Sequence, residues 1–414
     1  MNRRREDPLT PEAYLSVLKN AMQQAEALSA EELAVQEAST RIFFKARNMV
    51  SLTQDRLKPI SAQMMSNIES GKRIPTPDDV LILARATSNP TLLGYYCTVY
   101  CSLNYIPHEF QMSTFSVEEA KQQIKSGFQE LESGIAQLLE ALKDSRIDED
   151  EFNSFFSALD TLKEISGAIH GLRNWAALHH LLPLTLTPSE SSGTKLSDLR
   201  KDANETQEAA ADLIEVSRPS FISLEKDFDN TALSLSQKPI IRKRFNILAD
   251  HYHSPALYET FCRRQCPIGQ CSGLPHQTGS LADVACGFLT QAILLRQEKA
   301  VSALTQILAD NVVGSEEREA FLDCMERLKS FCDYTDSMIH WGQRFLTRCL
   351  RTYMEELRRG DVANLENATR CIQKLKDLGY SRKYTEKYYE EIQKIKKRSK
   401  NASFLELWTS LNTR

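Results

Sequence analysis

The amino-acid sequence predicts an all-α protein in which one helical unit occurs twice. Only 15 glycines and 14 prolines interrupt its 414 residues, which favours long helices over strands joined by many turns. Segments with the alternating pattern that is typical of strands are hard to find. The third observation is an internal repeat, because the same residue types return in the same order further along the chain.

Composition and charge exclude several classes of protein. The chain is 42% apolar and 26% charged, as globular proteins are, and it shows neither a secretory signal nor the roughly 18 apolar residues that a membrane helix needs. Its ten cysteines are scattered, which argues against a disulfide framework, so we expect a cytoplasmic protein with no membrane contact. The net charge of −4 argues against a general nucleic-acid binder, and any DNA contact therefore requires a local basic surface.

The repeat keeps its register over most of the chain. At an offset of 166 residues, Trp175 matches Trp341 and Phe155 matches Phe321. Upstream, the offset becomes 165, then 156 and 153, and it changes only at plausible loops. The matched pairs in that region are Cys97/Cys262, Cys101/Cys266, Glu69/Glu225, Thr53/Thr206 and Gln54/Gln207. We therefore expect two copies of one unit, at about 40–180 and 195–345.

The first copy opens with a series of short predicted helices. Phe43–Arg47 predicts an amphipathic helix, and Thr53 is a suitable N-cap for a second helix. Ser61 caps a third helix over Ala62–Glu69, which a glycine and two cations follow. A further helix is expected over Asp78–Thr87.

The third of these helices has one apolar and one polar face. Met65 and Ile68 are spaced so that both face the core. Ala62, Gln63 and Asn67 lie toward the opposite face, where side chains of such a helix can reach base edges in the major groove of DNA.

This stretch resembles the helix-turn-helix of the Cro and lambda-repressor type, the XRE family of bacterial and phage regulators. The residues that carry the resemblance are Leu52-Thr53-Gln54, Ile60-Ser61, Ser66 through Arg73, and Ile74-Pro75. The resemblance implies that Gln54 binds a phosphate and that Arg47 pairs with Glu69. It also implies base reading by the exposed face of the third helix, where amide side chains suit bidentate contacts with adenine. The predicted DNA-binding residues are Thr53, Gln54, Ser61, Ala62, Gln63, Asn67, Lys72 and Arg73.

Local charge favours DNA contact by the first copy, although its spacing departs from the family pattern. Residues 40–95 hold eight cations and four anions, a net charge of +4 within an acidic protein. From Thr53 to Glu69 the chain is three residues shorter than the family spacing, and Lys58-Pro59 stands where the second helix would continue. Because proline ends a helix, we expect the second helix to be short.

The second copy keeps the family spacing but not the charge. Thr206-Gln207 and Glu225 stand at the matching positions, with Arg200 in the place of Arg47, but Ala210 replaces the usual core leucine. No Gly-Lys-Arg follows Glu225, and residues 195–260 hold nine cations and eleven anions, a net charge of −2. Its base-reading positions would be Arg218, Pro219 and Ser223. We interpret this copy as a module that keeps the fold and binds DNA weakly or not at all.

These features predict two tandem helix-turn-helix modules, each followed by a long helical pair, and a C-terminal helical tail. The expected helical pair of the first copy is Val117–Lys143 and Glu149–Leu178. The expected segments are an N-terminal helical extension at 1–39, a helix-turn-helix at 40–95, a helical pair at 96–180, a linker at 181–195, a divergent helix-turn-helix at 196–260, a second helical pair at 261–345 and a basic helical tail at 346–414.

The cysteines leave two interpretations open, while catalysis finds no support. Cys97/Cys101 and Cys262/Cys266 are spaced i, i+4, so each pair shares one helical face. They are either core residues or a metal or redox site, and zinc would be held within the second copy or by four cysteines across the copies. We find no nucleophile motif and no phosphate-binding loop, and we expect no enzyme activity, no cofactor and no bound metal.

The leading hypothesis is a sequence-specific, DNA-binding transcriptional regulator whose partner is double-stranded DNA. Such regulators present two modules to adjacent major grooves, so we expect either a homodimer or a pseudo-dimer within one chain. The alternative hypothesis is a helical scaffold that binds a protein or peptide through modules that do not contact DNA. The shortened second helix and the acidic second copy favour this alternative.

Overall fold

The computed structural model describes residues 9–25, 41–101, 116–142, 149–182, 195–229, 281–297, 299–380 and 384–398, and residues 244–271 with gaps at 246, 250, 253 and 255. These residues form helices and their connections, and the all-α prediction is confirmed. The helices are α1 (Pro11–Ala25), α2 (Ile42–Met49), α3 (Ala62–Glu69), α4 (Pro77–Ala86), α5 (Thr91–Val99), α6 (Val117–Leu142), α7 (Glu149–Leu178), α8 (Leu196–Asp202), α9 (Gln207–Leu213), α10 (Arg218–Asp229), α11 (Ala256–Gln265), α12 (Pro267–Gln270), α13 (Leu281–Gln297), α14 (Ala300–Ile307), α15 (Arg318–Arg358) and α16 (Leu365–Asp377). A last helix, α17, occupies 384–398.

The first module consists of α2 to α5 and is covered by α1. Helix α1 packs against α2 and α5, and its Tyr14 is fully buried. Helix α4 begins with a capping box, in which Thr76 accepts a hydrogen bond from Asp79 N and the Asp79 side chain accepts one from Thr76 N. The predicted helix over Asp78–Thr87 is therefore confirmed to within one residue at each end.

The start of the third predicted helix is also confirmed, whereas the second helix is reduced to a single turn. Ser61 Oγ accepts a hydrogen bond of 3.2 Å from Met64 N and caps α3, in which Met65 and Ile68 are buried. The second helix is a 3₁₀ turn over Gln54–Arg56, as the proline at position 59 led us to expect. Thr53 stands at the N-cap of this turn without a capping hydrogen bond from its side chain, so that part of the prediction is wrong.

Long helices follow each module. In the first copy, α6 and α7 pack along each other, and the bounds predicted for this pair differ from the observed ones by one residue at most. Gly127 allows the close approach, because a Cβ there would lie 2.3 Å from Ile165 Cγ1. In the second copy the first helix is divided into α13 and α14 at Lys299, whose φ of +52° is left-handed.

The predicted domain boundary at 345/346 lies inside helix α15, which runs without interruption from Arg318 to Arg358. The helix contains no proline, and a repeat that ends in sequence need not end a helix that has no stop signal. The boundaries at 95/96 and 260/261 also lie within helices, α5 and α11. Most of the predicted linker, residues 183–194, lies outside the described residues.

The centre of the helical core is the packing of α7 against α15, one helix from each copy. Gly342 lies at this contact, where a Cβ would come within 2.4 Å of Leu159 Cδ1. The tail then returns onto α7, since Lys374 Nζ lies 2.9 Å from Asp160 Oδ2 and Lys163 donates to the carbonyl of Asp377. In the described part of the chain, no helix has the length and apolar character needed to cross a membrane.

Asp333 on α15 makes the stability of this core depend on pH. Burial raises its pKa to about 6, since nearby Lys329 compensates only partly and Asp336 adds repulsion. A carboxyl group whose pKa is raised on folding stabilises the fold at pH values below its pKa in the unfolded chain, which is near 4. This contribution is lost as the pH rises through 6. We therefore expect Asp333→Asn to raise the free energy of unfolding by about 1–2 kcal/mol at pH 8 and to have almost no effect at pH 4. Urea denaturation at both pH values measures this, and an equal effect at both would contradict it.

Candidate nucleic-acid interface

A buried ion pair organises the first module. Arg47 Nε and Nη2 donate to the Glu69 carboxylate at 2.5 and 3.1 Å, and Arg47 Nη1 donates to the Leu52 carbonyl at 2.5 Å. Gln54 Nε2 donates to Glu69 Oε2 at 2.5 Å. This network ties α2 and the 3₁₀ turn to the C-terminal end of α3. It contains the Arg47–Glu69 pair that the family resemblance implies.

The second module contains the same network at the matching positions. Arg200 Nε donates to Glu225 Oε1 at 2.7 Å, and Arg200 Nη1 donates to the Glu205 carbonyl at 2.7 Å. Gln207 Nε2 donates to Glu225 Oε2 at 2.8 Å. Because a one-to-one set of partners recurs, the two modules share a local structure as well as a sequence register.

The predicted DNA-binding residues lie at the surface of the first module. Six side chains are exposed and two, those of Gln54 and Asn67, are partly buried. The exposed residues are Thr53, Ser61, Ala62, Gln63, Lys72 and Arg73. On α3, Gln63 Nε2 donates to Asn67 Oδ1 at 3.3 Å, so these two amide groups share one polar strip.

The basic residues after α3 are held by their backbone. Lys72 N and Arg73 N both donate to the carbonyl of Asn67, at 2.9 and 3.2 Å. Gly71 makes this turn possible with a φ of +71°. The two cationic side chains therefore leave the module from a defined position at the C-terminal end of α3, and both are exposed.

The partly buried side chain of Gln54 makes a hydrogen bond inside the module. Its Nε2 donates to Glu69, and an amide nitrogen carries two hydrogens. A second N–H of Gln54 can therefore donate to a phosphate oxygen without loss of the internal bond. This arrangement fixes the orientation of the side chain before any ligand binds.

The second module presents a different surface from the same framework. Arg218, Pro219 and Ser223 of α10 are exposed at the positions that match Ala62, Gln63 and Asn67. Ser223 Oγ donates to Asp227 Oδ2 at 3.3 Å, and Asp227 stands where the first module has a basic loop. Tyr252 Oη donates to Glu205 Oε2, and burial together with Glu205 raises the pKa of this tyrosine.

The two cysteine pairs lie close to one another at the junction of the copies. Cys97, Cys262 and Cys266 are buried and Cys101 is partly buried, which agrees with the core interpretation. The hydrogen bond with Cys266 and burial raise the pKa of Cys262, and the thiols of Cys97 and Cys101 raise it further. Among the described residues, no three His, Cys, Asp or Glu side chains are arranged so that they could hold a metal ion.

Sequence reasoning missed a buried polar centre between α7 and α15. Ser166 Oγ donates to Asp336 Oδ1 at 2.5 Å, and His170 Nε2 lies 2.9 Å from Asp336 Oδ2. All three residues are buried. The available signal was the repeat itself, because His170 and Asp336 are 166 residues apart and therefore occupy equivalent positions in the two copies.

Chemically, the first module combines fixed hydrogen-bonding groups on α3 with anchored cations beside them. Amide groups can read base edges, and lysine and arginine neutralise phosphates. No family model, no curated protein and no solved structure matches the chain.

Proposed function

We propose that the chain is a cytoplasmic, sequence-specific DNA-binding transcriptional regulator that reads double-stranded DNA with α3 of the first module, a helix-turn-helix. The observation that carries this proposal is the pairing of an amide strip on α3, exposed Gln63 and partly buried Asn67, with backbone-anchored Lys72 and Arg73. These groups belong to a stretch with a net charge of +4 in a protein with a net charge of −4.

In the proposed complex, each group has a distinct task. The exposed face of α3 enters the major groove, where Gln63 and Asn67 bind the donor and acceptor groups of adenine. Lys72 and Arg73 bind phosphates next to the C-terminal end of α3, and Gln54 donates its second N–H to another phosphate. The buried Arg47–Glu69 pair keeps α3 at a fixed angle to α2, so that base and phosphate contacts form together.

Salt dependence tests the electrostatic part of this proposal. Replacement of both Lys72 and Arg73 by alanine removes two phosphate contacts, so the slope of log K against log salt should decrease by about 2. The matched control is Lys226→Ala, which removes an exposed cation that follows the corresponding glutamate of the second module. Fluorescence anisotropy with duplex DNA gives both slopes. Wild-type protein without salt-sensitive binding would overturn the proposal.

The second candidate function is a scaffold that binds a protein or peptide. The observation that favours it is the second module, which keeps the buried network of Arg200 and Glu225 although residues 195–260 have a net charge of −2. The experiment that separates the two candidates is the same titration. If the chain is a scaffold, duplex DNA should bind to it no more tightly than to an unrelated acidic protein. The Lys72 and Arg73 substitutions should then have no effect on this binding.

A further inference from the structure

We propose that a single chain is the complete DNA-binding unit: its two copies pair with each other as the subunits of a dimer would, and the duplex site that it occupies is asymmetric. The second half of this inference rests on the proposed function. The first half rests on contacts within the chain.

Aromatic contacts between the copies are reciprocal. Phe155 of the first copy meets Trp341 of the second at 5.9 Å between ring centroids, edge to face. Trp175 of the first copy meets Phe321 of the second at 6.5 Å, also edge to face. Phe155 is equivalent to Phe321 and Trp175 to Trp341, so residue i contacts j and j contacts i. This is the contact pattern of a two-fold symmetric dimer interface.

At the middle of this interface, equivalent residues face each other. His170 and Asp336 are hydrogen-bonded at 2.9 Å, with side chains that are 4% and 2% exposed. A residue that meets its own equivalent lies on the pseudo-two-fold axis. The cysteine pairs agree with this symmetry, because the thiols of Cys97, which is the equivalent of Cys262, and of Cys101 both raise the pKa of Cys262.

The residues on the axis favour pairing of unlike copies. If two first copies paired, two His170 rings would meet. Neither ring would then have the Asp336 carboxylate to which His170 is hydrogen-bonded in this structure. If two second copies paired, two buried Asp336 carboxylates would meet, and like charges at such a distance repel. The observed pairing places a hydrogen-bond acceptor beside the histidine and also satisfies Ser166.

Two features favour pairing within one chain: the short link that joins the copies, and the C-terminal tail. Only residues 183–194 separate the described parts of the copies, and a short link gives an effective concentration in the millimolar range. Helix α16 then binds α7 through Lys374–Asp160 and through Arg370 Nη2, which donates to Asn153 Oδ1 at 3.0 Å. The chain has one such tail for two copies, so the pseudo-symmetry is broken on that side.

The asymmetry of the DNA site follows from the two surfaces. One module presents Gln63, Asn67 and two anchored cations, while the other presents Arg218, Pro219 and Ser223 and has Asp227 in place of the basic loop. A paired unit of this kind reads one half-site in detail and makes few contacts with the other half. Its preferred duplex therefore lacks a palindrome, in contrast to the site of a regulator with two identical subunits.

Mass measurements test the pairing and the DNA site separately. Light scattering of the free protein at micromolar concentration should give the mass of one chain, 47.1 kDa. Native mass spectrometry with a selected duplex of about 40 base pairs, long enough for two half-sites, should show one chain per duplex. A free dimer with two chains per duplex would overturn the inference but leave the proposed function intact. A monomer that binds no duplex would overturn the proposed function and, with it, the asymmetric site.

A residue swap tests the axis contact itself. Asp336→His should lower the melting temperature, because two histidines then meet. Addition of His170→Asp restores the pair in the opposite order and should recover most of the loss. The matched control exchanges Arg327 and Asp323, an exposed pair at 2.9 Å on the same helix, and should change the melting temperature little. A double variant that melts no higher than Asp336→His would contradict the role of this contact.

Discussion

Replacement of Asp336 by alanine is expected to lower the free energy of unfolding by about 2–5 kcal/mol, because it leaves two buried hydrogen-bonding groups unsatisfied. The variant would leave Ser166 Oγ and His170 Nε2 without their shared acceptor between α7 and α15, and both residues are buried. Because this contact joins the two copies, the whole core should lose stability together. Urea or thermal denaturation measures the loss.

The milder variant Asp336→Asn separates lost hydrogen bonds from lost volume. Its side chain retains an acceptor oxygen for Ser166 and has nearly the same size. We expect it to cost less than half as much as alanine. An alanine variant as stable as the wild type would show that this polar centre contributes nothing to the pairing of the copies.

Replacement of Arg47 by alanine is expected to have a comparable cost, about 3–5 kcal/mol, because Glu69 would remain as a buried carboxylate without its cation. The Glu69 side chain is only 6% exposed. Since the pair also fixes α3, DNA affinity should fall by more than tenfold even where the module remains folded. Arg47→Lys should rescue little, because lysine lacks the planar fork that donates from Nε and Nη2.

Arg200→Ala is the matched control, since it removes the same network from the second module. We expect a similar loss of stability but nearly unchanged binding of DNA by the first module. Denaturation and fluorescence anisotropy on both variants give the comparison. Equal losses of affinity in the two variants would mean that the modules contribute equally to DNA binding.

Local features of the fold were predictable because they depend on neighbouring residues. Ser61 caps α3 as predicted, and Met65 and Ile68 face the core, since both follow from helical spacing. The Arg47–Glu69 pair was predicted from the family resemblance and is present. The shortening of the second helix was predicted from Pro59, but the absence of a capping hydrogen bond from the Thr53 side chain was not predicted.

Features that depend on long-range packing were not predictable. The repeat shows that His170 and Asp336 are equivalent, but only the packing of α7 on α15 shows that they meet. The division at Lys299 interrupts a pattern that the other copy continues as one helix, and no glycine or proline marks it. The candidate site was predicted as a set of residues, while the second task of Gln54, as a donor to Glu69, required the folded module.

The two copies show how one framework can keep a fold and change a surface. Both retain Arg, Gln and Glu at the positions that form the buried network, whose loss would destabilise either module. The exposed positions carry no such constraint, and there the charge differs, with +4 in residues 40–95 and −2 in residues 195–260. We therefore expect the DNA contacts to be concentrated in the first module.

The most direct test of this account is selection of binding sequences by the full chain from a pool of random duplex DNA. We predict one enriched motif for the wild type and for a variant with alanine at Arg218 and Ser223, two exposed positions of the second module. We predict loss of that motif when Gln63 and Asn67 are replaced by alanine. A wild type that enriches no sequence, or a motif that persists without these two amide side chains, would contradict this prediction.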